Sequence, residues 1–318
     1  MKRRSALAGL ASLLAAPALG KAARLIPQRA SVRVIVDNDF AGDPDGLAAL
    51  AHQLLSPKSR VVLATSSALN PQFMPPGSPR TSAADGGVLA RELIRRGRFA
   101  PVPVVAGVEN FDLGPSPAAR AIVAEALRDD RLPLFVTCGG PLTNIAAALR
   151  LEPAIAKRMT VIWIGGGGYP QGGWEYNLAT DLPAARAVIE GCAVPLWQVP
   201  QPAYRQAQYA IAEMTADLRP ISPFTRWLYD RFTSPPDFVD LGGTWPLGDS
   251  PLVLLTALSG ESSRYAERPA RRIGVDGAYG QEIAGRTVRV YEQIDTRLMF
   301  ADFLAQLRLH ASRRGAAL

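Results

Sequence analysis

The feature that most constrains the fold is a repeated alternation of short apolar segments with helix-like segments. Val32–Val36 is a β-branched run interrupted only by Arg33, and Gly46–Leu55 follows it with helical spacing. The short strands are mostly apolar on both faces, as a parallel sheet covered by helices requires. The alternation predicts an α/β protein with an open, mostly parallel central sheet flanked by helices. The other predicted strands are Val61–Ser67, Val102–Ala106, Leu134–Cys138, Val161–Gly165 and Arg286–Glu292, and the other predicted helices are Ser82–Arg96, Ala118–Leu127, Asn144–Leu151, Ala184–Ile189 and Asp295–Arg308.

The charge of the chain argues against a nucleic-acid partner. The formal net charge is +7, but Lys2, Arg3 and Arg4 supply three of these charges, so the remainder of the chain carries +4. The other basic residues are scattered, and Arg271–Arg272 and Arg313–Arg314 are pairs rather than long basic runs. A hydrophobic fraction of 48% with 20% charged residues is typical of a globular protein with a core.

The N-terminus has the composition of an export signal. Three basic residues precede the apolar stretch Ala6–Ala15, and small residues follow it, with Ala18-Leu19-Gly20 as a candidate cleavage point. The stretch is too short for a permanent membrane span, so we expect no span in the mature protein. The adjacent arginines resemble a twin-arginine signal, and an ordinary secretory signal is the alternative. We predict that residues 1–22 are removed, that residues 23–318 form a single domain, and that this domain is exported, in a bacterium to the periplasm.

The two cysteines leave two possibilities open. Cys138 and Cys192 could form one disulfide in an oxidising compartment, or they could be two free thiols beside strand ends.

A cluster of four aspartates follows the first predicted strand, in the segment Asp37–Asp45. Open α/β sheets bind ligands beyond the carboxyl ends of their strands. Four carboxylates within nine residues repel one another unless a cation is present, and oxygen-rich sites suit Ca²⁺ or Mg²⁺. The alternative is an acidic turn at the start of the following helix, which accounts for Asp43 or Asp45 but not for Asp37 and Asp39.

Four segments in the same order resemble the inosine-uridine-preferring nucleoside hydrolase family. Asp37–Leu50 is similar to its N-terminal aspartate signature, and Leu63–Asn70 is similar to its second strand and following asparagine. Gly139–Ala146 resembles its Gly-Pro-Leu-Thr-Asn-Ile-Ala turn and helix. Ile162–Gly168, followed by Glu175-Tyr176-Asn177, resembles its Gly-Gly strand and Glu-Phe-Asn segment. The resemblance implies a nucleoside hydrolase-like fold with a Rossmann-like core.

The resemblance also implies a reaction and a metal site. The family hydrolyses the N-glycosidic bond of a ribonucleoside to ribose and free base, through an oxocarbenium-like ribose. By resemblance, Asp39 would be both a Ca²⁺ ligand and the base that deprotonates the attacking water. Asp45, Asp249 and the backbone carbonyl of Gly139 would complete the ligands, with Mg²⁺ a less suitable ion than Ca²⁺.

The substrate residues follow from the same resemblance. The ribose hydroxyls would be bound by Asp43, Asn70, Glu175 and Asn177. Asn70 could instead be a turn residue before a proline, whereas Glu175 and Asn177 follow a Gly-rich loop and have little structural rationale of their own. Asp181 precedes Pro183 and a helical run, which predicts a helix N-cap rather than a ligand.

The sequence departs from the family pattern at three places, which limits how many family roles can be assigned to its residues. Pro44 separates Asp43 from Asp45, so the division of these two between ribose and metal stays open. Gly248 stands where many members carry a histidine that protonates the leaving base. The loop Tyr169–Trp174 is shorter than usual.

No other histidine is an obvious substitute for the missing one, because His52 and His310 lie on the first and last predicted helices. Some purine-preferring relatives are thought to activate the base between aromatic rings. Trp174 and Trp245 lie in suitable loops for that role, or they pack against the rim; Trp163, Trp197 and Trp227 fall in strand or helix runs and are expected in the core.

The expected partner is a small-molecule nucleoside, which would suit a role in purine or pyrimidine salvage. Two other functions share the same residues: a hydrolase of a different glycosidic compound, and a ribose- or nucleoside-binding protein without turnover. The sequence leaves open purine against pyrimidine preference, and it is compatible with a homo-oligomer.

Overall fold

The computed structural model describes residues 28–234 and 242–315. The predicted signal, residues 1–22, and residues 235–241 lie outside the described residues. None of the described helices is long and apolar enough to cross a membrane.

Strands and helices alternate along the first two thirds of the chain, as predicted. The strands are β1 Val32–Asn38, β2 Ser59–Ser66, β3 Val104–Ala106, β4 Leu134–Cys138, β5 Met159–Ile164, β6 Leu196–Val199, β7 Gln208–Ala210, β8 Thr244–Pro246, β9 Arg264–Ile273 and β10 Tyr279–Gln293. The helices are α1 Asp45–Leu55, α2 Ser82–Arg96, α3 Pro117–Leu127, α4 Thr143–Leu151, α5 Tyr176–Thr180, α6 Leu182–Ile189, α7 Gln201–Tyr204, α8 Ile211–Glu213, α9 Pro223–Phe232, α10 Pro251–Ala257 and α11 Thr296–Gly315. Short 3-10 helices span Pro71–Phe73 and Pro153–Lys157, and a π-helical turn spans Met214–Leu218.

Eight strands form one sheet in the order β3-β2-β1-β4-β5-β6-β10-β9, and β7 pairs with β8 separately. All neighbours in the large sheet are parallel except β10 and β9. The predicted α/β fold with a mostly parallel central sheet is therefore confirmed. Because β1 lies between β2 and β4, the residues that follow it meet the ends of both neighbours.

The strand β1 shows why the sheet forms. All seven of its residues are buried, and its apolar side chains alternate between two cores. Ile35 packs in the core that contains Trp163, whereas Val34 and Val36 pack in the core that contains Leu50 of α1. Burial on both faces is what the continuous apolar run of this strand requires.

The far edge of the sheet differs from the prediction. The strand expected at Arg286–Glu292 begins at Tyr279, and it pairs with a strand, β9, that was not predicted. The sequence of β9 contains four arginines and Pro269. An edge strand tolerates both, because much of its surface faces water and one side of it needs no hydrogen-bond partner. Neither feature is typical of the buried parallel strands, so the sequence pattern did not indicate it.

The cysteines are free. Cys138 is buried at the end of β4 and Cys192 is half-buried after α6. Of the two possibilities, the structure therefore has two thiols.

Candidate functional site

The aspartate cluster lies at the carboxyl end of β1, where the prediction placed it. Asp37 is the sixth residue of β1, Asp39 follows the strand, and Asp45 is the first residue of α1. Asp39 is buried, Asp45 is half-buried and Asp43 is exposed. The residue that caps α1 is Pro44, and no side chain makes a capping hydrogen bond there. Asp45 does lie in the first turn of α1, so the acidic-turn alternative accounts for Asp45 but not for Asp39.

The distant Asp249 closes the cluster from the other side. Its Oδ2 accepts a hydrogen bond of 2.8 Å from Asn38 Nδ2 at the end of β1. Its backbone N–H donates to Asp45 Oδ2 at 3.2 Å. These two bonds bring together the end of β1 and the starts of α1 and α10.

The carboxylates of the cluster act on one another. Burial is the main cause that raises the pKa of Asp39, and the charges of Asp45 and Asp43 raise it further. Burial also raises the pKa of Asp45, followed by the charges of Asp249 and Asp43. Like charges that share a site in this way favour either bound protons or a bound cation.

The donor chemistry of this cluster fits a hard cation. Asp39, Asp45, Asp249 and the Gly139 carbonyl would all supply oxygen, as Ca²⁺ prefers. The oxygen Oδ1 of Asn38 is buried and has no hydrogen-bond partner among the described residues. No group of three or more His, Cys, Asp or Glu side chains in the described part of the chain is already arranged around a metal position.

Glycine at position 139 makes the close approach possible. A Cβ there would lie 2.2 Å from Asn38 Nδ2 and 2.5 Å from Asp249 Cγ, closer than real atoms approach. The carbonyl of Gly139 accepts a hydrogen bond of 3.1 Å from Asn177 Nδ2. A carbonyl oxygen has two lone pairs, so one acceptor position remains.

Asp37 has partners of its own behind the cluster. Its Oδ1 accepts hydrogen bonds from Thr65 Oγ1 at 2.5 Å and from Asn144 Nδ2 at 2.8 Å, and the Cys138 thiol lies 3.5 Å from Oδ2. Burial raises the pKa of Asp37 to about 6. This carboxyl joins the ends of three parallel strands and the start of α4.

Glu175 and Asn177 have structural roles that the sequence did not reveal. Glu175 caps α5: its Oε2 accepts from the backbone N–H groups of Gly166 at 2.8 Å and Leu178 at 3.0 Å. Its Oε1 accepts from Tyr204 Oη at 2.9 Å. Asn177 donates to the carbonyls of Gly139 and Ile164. Both side chains are buried near the cluster. Burial is the main cause that raises the pKa of Asp249, and the charge of Glu175 adds to it.

Asn70 and Asp181 hold backbone groups. The Oδ1 of Asn70 accepts from Gln72 N–H at 2.9 Å, and its Nδ2 donates to the Thr180 carbonyl at 3.3 Å. Asn70 thus has the turn role that was the alternative to ribose binding. Asp181 Oδ1 accepts from Ala184 N–H at 3.0 Å, which confirms the predicted N-cap of α6.

The two candidate base-stacking tryptophans lie in different environments. Trp174 is 57% exposed and contacts the ring edges of Phe73 and Tyr176, with centroids 6.0 and 6.5 Å away. Trp245 is only 4% exposed, because β8 turns its ring into the core against Phe232. The expectation that Trp245 offers a face to a ligand is therefore corrected: its ring lies inside the core.

The ring of Tyr204 lies beside the position that lacks the expected histidine. A Cβ at Gly248 would lie 3.1 Å from Tyr204 Cδ2 and 3.3 Å from Asp45 Oδ2. Removal of its carboxyl from water raises the pKa of Asp43, and the positive charge of Arg205, the residue after Tyr204, opposes this shift. Sequence reasoning singled out neither Tyr204 nor Arg205, since α7 is too short to give a periodic pattern.

The histidines make ordinary helix contacts. Nε2 of His52 on α1 lies 2.8 Å from Asp302 Oδ2, and Nε2 of His310 on α11 lies 2.7 Å from the carbonyl oxygen of Gly97. The prediction that neither replaces the missing histidine agrees with these contacts.

A family model for inosine-uridine preferring nucleoside hydrolases matches residues 34–301 of the chain. The chain belongs to this family. Its match to curated family members is short: it is 43% identical over 61 residues to the pyrimidine-specific ribonucleoside hydrolase RihB of Escherichia coli. That segment is 18% of this chain and 19% of the relative, so the chain spans about a fifth of the length of the relative it matches.

Solved nucleoside hydrolases share the fold over nearly their whole length. A plant nucleoside hydrolase, PpNRh1, has a TM-score of 0.66 at 18% identity and covers 87% of this chain and 99% of its own. An inosine-uridine preferring nucleoside hydrolase of Bacillus anthracis has a TM-score of 0.62 at 15% identity, with coverages of 87% and 99%. A purine-preferring ribonucleoside hydrolase of Gardnerella vaginalis has a TM-score of 0.60 at 19% identity, with coverages of 88% and 99%. At these identities the likeness supports the fold and leaves substrate preference open.

Proposed function

We propose that this chain hydrolyses the N-glycosidic bond of ribonucleosides and releases ribose and a free base. The observation that carries the proposal is the group of carboxylates at the end of β1, of which Asp39 and Asp249 are buried, with Asp249 hydrogen-bonded across to Asn38 and Asp45, in a chain of the nucleoside hydrolase family. Buried like charges cost stability, and carboxylates with strongly raised pKa values cluster at functional sites.

We propose Ca²⁺ as the cation, held by Asp39, Asp45, Asp249 and the Gly139 carbonyl. When bound, the ion would lower the pKa of a coordinated water. It would also offset the burial and the mutual repulsion that together raise the pKa of Asp39. Asp39 would then be ionised near neutral pH and could accept the proton of the attacking water.

The ribose would be bound by Glu175, Asn177, Asp43 and Asn70. A carboxylate accepts hydrogen bonds from sugar hydroxyls, and these bonds strengthen as positive charge develops on the ring. Glu175 supports this role because it is buried, held in one orientation, and close enough to Asp249 for their charges to interact. Asn70 would have to bind the sugar while holding its turn.

The base would lie against the aromatic group of Phe73, Trp174 and Tyr176. The charges of Asp39 and Asp43 both act on Tyr176, and burial raises its pKa above the ordinary value. The exposed ring of Trp174 adjoins it. A flat aromatic base could stack there, and this position favours nucleosides over sugars without a base.

The experiment is a nucleoside panel with the purified full chain in Ca²⁺. Inosine, adenosine, uridine and cytidine are incubated and free base is separated by chromatography. We expect release from at least one of them, and none from Asp39→Ala. Calorimetric binding of every nucleoside without release would instead support a binding protein.

A second candidate is a hydrolase of another ribosyl compound. The packing of Tyr204 against Gly248 favours it, because no histidine stands at that position to protonate a nucleobase. A good leaving group needs no such proton donor. Hydrolysis of 4-nitrophenyl ribofuranoside together with inactivity on all four nucleosides would favour this candidate.

A further inference from the structure

Tyr204 of α7 lies between the position of the absent histidine and a proposed ribose-binding carboxylate. Its ring carbon Cδ2 is 3.1 Å from a Cβ built on Gly248, so the ring takes space that a side chain at 248 would need. Its hydroxyl donates to Glu175 Oε1 at 2.9 Å. The Tyr204 side chain therefore packs beside Gly248 and also donates a hydrogen bond to Glu175.

The hydrogen bonds of Glu175 show why this contact matters. Each carboxylate oxygen accepts about two hydrogen bonds. The oxygen Oε2 already accepts two, from the N–H groups of Gly166 and Leu178. The oxygen Oε1 accepts one from Tyr204, and the backbone N–H of Asn177 also bonds to this carboxylate, so the Tyr204 hydroxyl is the side-chain donor that orients Oε1.

The segment around Tyr204 is built to hold this geometry. The N–H of Gln201, the first residue of α7, donates to the Gly166 carbonyl at 2.9 Å, while the Gly166 N–H donates to Glu175. The same residue, Gly166, thus ties both Glu175 and α7 to the loop after β5. Burial, followed by the charge of Glu175, raises the pKa of Tyr204 above its ordinary value, so the hydroxyl stays protonated and remains a donor.

We propose that Tyr204 is a positioning residue that aims Glu175 Oε1 at one hydroxyl of the ribose, from the space that a side chain at position 248 would otherwise occupy. This inference rests on the proposed ribose binding by Glu175. It assigns to α7 a role in sugar recognition, and it links the glycine at 248 to the placement of the Tyr204 ring, which a Cβ there would crowd.

The test measures affinity for sugars that cannot react. The probes are 1,4-anhydro-D-ribitol, which is a ribofuranose without a leaving group, and its 2-, 3- and 5-deoxy forms, titrated calorimetrically into the full chain with Ca²⁺. We expect Tyr204→Phe to weaken binding of the parent sugar about tenfold, the scale of one hydrogen bond to a charged group. We expect the penalty for one deoxy position to shrink toward zero, with the other two unchanged.

The matched control is Tyr229→Phe, which removes a hydroxyl bonded to Thr215 between two other elements. It should leave all four affinities unchanged. Wild-type affinity in Tyr204→Phe overturns the inference, and so does a loss in which all three deoxy penalties keep their wild-type size. If the wild type binds none of the sugars and releases no base, the proposed function itself fails.

A second pair of variants tests the space at 248. The methyl group of Gly248→Ala should displace the Tyr204 ring and weaken sugar binding about as much as Tyr204→Phe. In a Tyr204→Ala background the same change should have no further effect. A loss of equal size in both backgrounds would show that position 248 acts through Asp45 instead, and it would overturn this part of the inference.

Discussion

Among single residues, Asp39 combines two properties that can be separated by one substitution. Its carboxyl is the proposed base, and it is also a buried charge that its neighbours repel. Asp39→Asn keeps the shape and removes the charge. We expect base release to fall about a thousandfold, within the range for loss of a general base. We also expect the melting temperature in a chelator to rise, because one repulsive charge is gone.

The control for this prediction is Asp217→Asn, at a surface ion pair with Arg308. It should change base release by less than twofold. Both properties of Asp39 are measured on the same samples by a base-release assay and a thermal melt with chelator. A melting temperature that falls in Asp39→Asn would contradict the electrostatic part, and full activity would contradict the assignment of the base.

The raised pKa of Asp37 leads to a prediction of how the free energy of unfolding changes with pH. Its pKa in the folded chain is about 6, above the ordinary 3.8, because the carboxyl is buried. The folded state therefore binds this proton more tightly than the unfolded state. The corresponding stability, about 3 kcal/mol, is present below pH 4 and is lost as the pH rises through about 6.

Urea unfolding between pH 4 and pH 8 in a chelator measures this effect. We expect the free energy of unfolding to fall with rising pH over that window. The raised pKa values of Asp39, Asp45 and Asp249 act in the same direction. Asp37→Asn should reduce the slope near pH 6, and an unchanged slope would contradict the role given to this carboxyl.

At the residue scale, the sequence predicted the carboxylates better than their partners. Asp39 and Asp45 follow a buried strand, and their proximity could be inferred from that alone. The bond from Asn38 to Asp249 spans 211 residues, and the bond from Tyr204 to Glu175 spans 29. No local pattern encodes such pairs. Trp245 was misjudged for the same reason, since its loop position gave no sign of the core that receives its ring.

Among the elements, the start of α1 packs very closely against the end of β1. A Cβ on Gly46 would lie 2.3 Å from Asn38 Oδ1. The Asn38 amide cannot turn away freely, because its Nδ2 is bonded to Asp249. We expect Gly46→Ala to destabilise the fold by about 2 kcal/mol, as overpacking does. Chemical denaturation measures the change.

The matched control is Gly87→Ala in α2. A Cβ on Gly87 would meet only Arg91 Nη1 and Nη2 at 3.5 Å, an ordinary contact. Here the helix-forming tendency of alanine should dominate and stabilise the chain by about 0.5–1 kcal/mol. The prediction fails if both variants shift stability in the same direction.

The elements differ in how far the sequence specified them. Ser82–Arg96 and Leu134–Cys138 were predicted with the bounds that the structure has, because burial imposes a clear apolar pattern on them. In the hairpin of β9 and β10, part of β10 was predicted and β9 was not. Many of its side chains face water, and charged residues such as Arg289 and Glu267 form ion pairs there. The sequence of the hairpin therefore lacks the regular apolar pattern that identifies a buried strand.

For the whole molecule, the cluster predicts that a cation stabilises the fold. An ion that binds only the folded state raises stability in proportion to the logarithm of its concentration. We expect Ca²⁺ to raise the melting temperature in chelator-treated protein, and Mg²⁺ to raise it less. Asp45→Asn should reduce the Ca²⁺ effect, whereas Asp217→Asn should not. A melting temperature that does not respond to Ca²⁺ would contradict the proposed metal site.

A further prediction for the whole molecule concerns the N-terminal segment. We propose that residues 1–22 are an export signal and that residues 23–318 fold alone. The first strand begins at Val32, and both of its neighbours in the sheet, β2 and β4, lie within the described residues. A chain of residues 23–318 should therefore keep the kcat/KM and melting temperature of the full chain. Loss of either would show that the segment belongs to the folded domain.

Export itself can be tested in a Gram-negative host. The full chain should appear in the periplasm, and N-terminal sequencing should find a start near residue 23. Replacing Arg3 and Arg4 together by lysine keeps the positive charge but removes the arginine pair. A block of export by this change, with Lys2→Arg as the unaffected control, would identify a twin-arginine signal. Continued export would identify an ordinary secretory signal, and a product that stays in the cytoplasm in every variant would contradict the export proposal.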